Sequence, residues 1–168
     1  MILIGIDPGL RTGISVVQIA DNLPPGMLGS KVVDYTDERV TSVGKHLRDT
    51  IEGTVVNLGL PEVDGGDGIR LVVERFVPEA RKVDTTALEV IGELRAAKRD
   101  GEEWTGKVTH WYWPQRSEKE SVSGDVLRRL GLWVKGHDNR HINDASRHVV
   151  TQLSKMNHRP TLEKGWPQ

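Results

Sequence analysis

The sequence predicts a single layered α/β domain, a mixed sheet of five strands flanked by helices, and three observations lead to it. The chain opens with an unbroken apolar run, Met1-Ile-Leu-Ile-Gly-Ile6, the pattern of a strand buried on both faces. Beyond the first strands, stretches of helical spacing alternate with short β-like runs, the order that lays helices against a sheet. A length of 168 residues suits one domain with its own interior.

The elements follow in order. Asp7-Pro8-Gly9 makes a turn, because Pro8 presets φ and Gly9 tolerates left-handed backbone. A second strand is expected over 13–19. Residues 21–29 carry turn chemistry, and a third strand is expected over 31–35, so the front of the chain reads as an antiparallel meander with one long loop. Val40, Val43, Leu47, Ile51, Val55 and Leu58 recur at helical spacing. A Gly/Asp-rich loop then leads to a fourth strand, Ile69-Arg-Leu-Val-Val73. A helix over 84–98, with Asp84 as N-cap, is closed by Asp100-Gly101 and followed by a fifth strand over 106–113. Ser117 and Glu120 form a capping box for a helix running to Leu130, and a last helix covers 139–156. The domain is expected to occupy 1–158, with 159–168 a flexible tail interrupted by Pro160, Gly165 and Pro167.

Composition narrows the chemistry. The absence of cysteine removes disulfides, thiolate metal sites and a cysteine nucleophile. No run approaches the ~20 apolar residues that cross a bilayer, and no signal peptide is visible. A soluble, cytoplasmic protein without membrane contact is expected. Lys and Arg total 23 against 24 Asp and Glu, but residues 116–168 hold 10 basic and 6 acidic side chains, and four of the six histidines. That imbalance can give one positive face.

The candidate site rests on acids at strand ends. Asp7 closes the first strand and Glu74 follows the fourth, the edge where open α/β sheets place their ligands. Carboxylates gathered there repel one another unless a cation joins them. In isolation, Asp7 could equally serve its own turn and Glu74 a surface base. His141 and Asp144 share one face of the last helix, and His148 lies a turn beyond Asp144. His137 is an alternative to His141. Three carboxylates with imidazole suit Mg²⁺ or Mn²⁺, with room for two ions acting on a phosphodiester. His141 could contact metal or handle the proton of the attacking water. Arg75, Arg81, Lys82, Arg116, Lys119 and Arg140 are candidate phosphate contacts, and Phe76 could stack on a base. Neither a GxxxxGK[ST] nor a GxGxxG nucleotide loop is present.

Ile4-Gly-Ile-Asp-Pro-Gly-Leu-Arg-Thr-Gly13 resembles the opening of RuvC-type Holliday-junction resolvases. Val72-Val-Glu74 with Phe76, and His141-Ile-Asn-Asp144-Ala145, resemble that family's second acidic position and closing helix, in family order. The resemblance implies an RNase H-like fold and a homodimer that cleaves four-way DNA junctions with Mg²⁺ or Mn²⁺. It implies Asp7, Glu74, His141 and Asp144 as the catalytic, metal-binding set, and Phe76 as the aromatic at the junction centre. The helix after Glu74 would form the dimer. Residues 116–132 depart from the glycine-rich, lysine-bearing pattern of typical cellular members, as divergent bacteriophage resolvases do. Two alternatives stand beside this expectation: a YqgF-like nuclease acting on structured RNA, whose opening motif is similar, and a non-catalytic junction-binding module.

Overall fold

The computed structural model describes residues 1–34, 49, 53, 68–75, 85–101 and 108–167. Its five-stranded sheet runs, in spatial order, β3 (Leu23–Asp34), β2 (Arg11–Ala20), β1 (Ile2–Asp7), β4 (Ile69–Val73) and β5 (Val108–Tyr112). β1–β2 and β2–β3 are antiparallel, whereas β1–β4 and β4–β5 are parallel. This mixed sheet carries α1 (Thr85–Asp100) on one face. On the other lie α2 (Gly124–Leu130), α3 (Arg140–Lys155) and α4 (Arg159–Gly165). The expected RNase H-like architecture is the one observed.

The period of two along β1 explains both layers. Ile2, Ile4 and Ile6 pack with Leu71 and Val73 of β4 and with Val90, Ile91 and Leu94 of α1. Leu3 points the other way, with Val72, into the cluster formed by Leu127, Leu130, Val149 and Leu153. All six residues of β1 are buried, which is why the run is apolar without alternation. Each buried Ile or Leu is worth about 1.5–3 kcal/mol relative to exposure.

Parity also decides where the acids go. Asp7 follows the phase of Leu3 and Gly5, and Glu74 that of Val72, so both carboxylates belong to the α3 face. The parallel register Ile6↔Val73 sets them side by side, and the Glu74 amide donates to the Ile6 carbonyl at 3.1 Å.

Two glycines let α3 approach. A Cβ on Gly5 would lie 2.3 Å from the Ala145 carbonyl oxygen, and one on Gly13 would lie 2.1 Å from that of His141. Only a residue without a side chain fits at either contact. Ser15 and Ser146 hydroxyls meet at 2.9 Å across the same seam. Asn143, buried in α3, binds the backbone of Val134 twice: it accepts from the amide at 2.9 Å and donates to the carbonyl at 3.0 Å.

Several boundaries differ from expectation. The turn after Asp7 is closed by Thr12, whose hydroxyl donates to the Gly9 carbonyl at 3.0 Å, and Gly9 needs no positive φ. Asp21 and Asn22 alone make the next turn, so the expected long loop is the first half of β3. Pro24 and Pro25 sit on this edge strand, opposite a slip in register between Gln18 and Ala20, where a missing amide is tolerated. The single helix expected from Ser117 is divided. A 3₁₀ turn spans Arg116–Ser121, Val122 is extended, and Ser123 caps α2 by accepting from the Val126 amide. Gly131, at φ 76°, ends that helix.

The expected tail instead forms α4, with Thr161 and Gly165 buried. Arg129 fixes it by donating from Nε and Nη2 to the Gly165 carbonyl at 3.0 and 2.7 Å. Pro160, read as an interruption, sits in the first turn, where a proline starts a helix. Of the expected helix over 37–58 only Asp49 and Gly53 are described, and both are helical; the Asp84 cap and the candidates Phe76, Arg81 and Lys82 lie outside the described residues.

Candidate metal centre

Asp7 from β1, Glu74 just past β4 and Asp144 from the second turn of α3 converge on one cation, the ammonium of Lys119. Its Nζ lies 2.9 Å from Asp7 Oδ1, 2.7 Å from Glu74 Oε2 and 3.2 Å from Asp144 Oδ2. Lys119 comes from the 3₁₀ turn and is largely buried with its partners. Burial disfavours the charged lysine, but Asp7, Glu74 and Asp144 outweigh that and raise its pKa above the ordinary value.

Two imidazoles bracket the acids. His141 Nδ1 lies 2.9 Å from Asp7 Oδ2, while Arg140 Nε donates to His141 Nε2 at 3.2 Å. A guanidinium can only donate, so Nε2 carries the lone pair and Nδ1 donates its proton to Asp7. His148, fully buried, donates from Nε2 to Glu74 Oε2 at 2.7 Å. Its Nδ1 is buried without a hydrogen-bond partner. A protonated Nδ1 there would be an unsatisfied donor, so the geometry corresponds to a neutral ring. Burial pushes the Glu74 pKa up, but the hydrogen bonds from His148 and Lys119 prevail and bring it down to about 2.

The donor set fits a divalent ion. One ligand atom each from Asp7, Glu74 and His148 lie within 4.8 Å of one another, a group able to hold a metal ion. Asp144 is joined to this group through Lys119, and its other oxygen pairs with Arg147. Oxygen-rich sites of this kind suit Mg²⁺ or Mn²⁺.

Of the expected residues, Asp7, Glu74, His141 and Asp144 come together. Lys119, expected as a phosphate contact, stands at their centre. Arg140 adjoins His141, whereas Arg75 is exposed and bridges to Gln115, and Arg116 is exposed at the start of the 3₁₀ turn. His137 is exposed and makes no part of the cluster. His148 is the residue the sequence reading undervalued; its signal was helical spacing, four residues after Asp144 and seven after His141.

The chain has the fold of RuvC. A Thermus thermophilus RuvC solved in complex with a Holliday-junction substrate is similar at a TM-score of 0.59 and 19% identity, over 94% of this chain and 98% of that one. A second T. thermophilus RuvC structure gives a TM-score of 0.58 at 16% identity, with the same coverage. At such identities the likeness is one of fold. No protein-family model matches the chain, and comparison with curated proteins finds no match.

Among the described residues, no helix is long and apolar enough to cross a membrane.

Proposed function

We propose that this protein is a metal-dependent endodeoxyribonuclease that resolves four-way and other branched DNA junctions, acting as a homodimer. The observation that carries the reading is the convergence of Asp7, Glu74 and Asp144 on one cation position, flanked by His141 and His148, in a RuvC-like fold.

Asp7 and Glu74 would hold a divalent ion, Glu74 being oriented by His148, with Asp144 and His141 completing the site. When bound, such an ion supplies Lewis-acid activation of water and stabilises charge on the phosphate oxygens. The chain's own residues do the rest. Asp7 orients the His141 ring through Nδ1, which leaves Nε2 to take a proton once Arg140 swings from it. His148 holds the Glu74 carboxylate at one oxygen. Arg140, Arg116 and Arg75 would meet backbone phosphates beside the sheet edge, which orient a duplex without reading its sequence. Arg81, Lys82 and Phe76 are proposed as further contacts.

The test is cleavage of an end-labelled four-way DNA junction beside matched linear duplex and structured RNA, with Mg²⁺, Mn²⁺ or chelator. Paired incisions across the junction, abolished by chelator, are expected. Asp7→Asn should lower the rate by at least about 10²-fold, as loss of a key electrostatic group does. Metal-dependent cutting that survives Asp7→Asn would refute the assignment, and preferential cutting of RNA would redirect it to the RNA-processing nucleases.

A further inference from the structure

The three carboxylates already share a cation, and that cation belongs to the chain. Lys119 Nζ contacts one oxygen of each of Asp7, Glu74 and Asp144. The segment delivering it is braced against α3: Thr151 Oγ1 donates to the Glu118 carbonyl at 3.4 Å, Lys155 pairs with the Glu118 carboxylate, and Arg147 Nε donates to the Val122 carbonyl at 3.0 Å. A divalent ion bound beside the ammonium would have to compete with it for the same three carboxylate oxygens. Buried like charges also repel strongly.

We propose that Lys119 and the divalent ion are alternative occupants of one position, so that metal entry expels the ammonium from the three carboxylates. A cleft of about 300 Å³, lined by Lys119, Glu120, Val122, Ser123, Asp144 and Arg147, adjoins the site and can receive the displaced side chain. Lys119 is thus an internal counterion that keeps the acids assembled before metal arrives, at a cost in metal affinity. The inference rests on the metal-centre reading above.

Two measurements on the full chain test it. The first is Mn²⁺ affinity by calorimetry for the wild type and for Lys119→Met, which keeps the stem and removes the charge. The variant is expected to bind at least about tenfold more tightly, equivalent to about 1.4 kcal/mol. The second is acylation of wild-type lysines by a water-soluble succinimidyl ester, mapped by mass spectrometry. Lys119 should react slowly without metal and several-fold faster with saturating Mn²⁺, while the other lysines keep their rates. Equal or weaker Mn²⁺ binding by a folded Lys119→Met overturns the exchange and leaves the metal centre standing. If that variant does not fold, labelling of the wild type decides alone: Lys119 protection unchanged by bound Mn²⁺ overturns the exchange. Failure of both proteins to bind Mn²⁺ overturns the metal-centre reading itself.

Discussion

His148 donates its one proton to Glu74 and has no partner for its other nitrogen, so its contribution is carried by that single contact. Groups that orient a metal ligand typically account for about 10–100-fold in metal affinity. Replacing His148 with Ala is expected to weaken Mn²⁺ binding by that order, measured by calorimetry. The same contact shapes acid stability. Glu74 is lowered from 4.5 to about 2, so its ionised form stabilises the fold above its unfolded pKa, and that contribution is lost as pH falls toward the folded value. Urea titrations of the metal-free protein should show a loss on the order of 3 kcal/mol between pH 4.5 and 2, flattened in Glu74→Gln. The acids themselves were legible in the sequence because strand ends are local features. The place of Lys119 was not. It meets Asp7, Glu74 and Asp144 across 112, 45 and 25 residues, and nothing local distinguishes a lysine that will be buried from one left in solvent.

At the scale of elements, the close seating of α3 on β1 and β2 is what brings His141, Asp144 and His148 to the strand ends. Gly5→Ala would force a Cβ into the Ala145 carbonyl, so α3 must lift. A stability loss of about 1–3 kcal/mol or more is expected from guanidinium denaturation, with metal affinity falling in parallel. Asn143→Ala should cost about 1–3 kcal/mol by stranding the Val134 amide and carbonyl. Elements with strong internal pattern, such as β1, β4, α1 and α3, were readable in the sequence. Those that depend on a partner were not. The seven residues of α4 are too short to hold a helix alone, and it persists because Arg129 and a buried Gly165 dock it. The helix expected from Ser117 breaks at Val122, the point where Arg147 captures the chain from outside.

For the whole molecule, a four-way junction presents two equivalent strands, and a twofold dimer would set one metal centre against each. Sedimentation equilibrium should therefore give twice the chain mass, and the two incisions should arise within the lifetime of one complex, read from nicked and fully resolved products of a supercoiled cruciform. A persistent monomer producing single nicks would contradict this arrangement.

The outer edge of β3 has a different consequence, for how the protein behaves at high concentration. A bare strand edge is an invitation to polymerise, since another chain can add its own strand to the row of amides. Here Pro24 and Pro25 interrupt the run of amides along this strand, and the slipped register opposite them bends it. Leu23 and Leu28 are exposed on this strand, so the prolines separate an apolar surface from the hydrogen bonds that would otherwise extend it into a fibre. Replacing both prolines with threonine is expected to leave the metal centre intact while making concentrated solutions turn thioflavin-positive on standing.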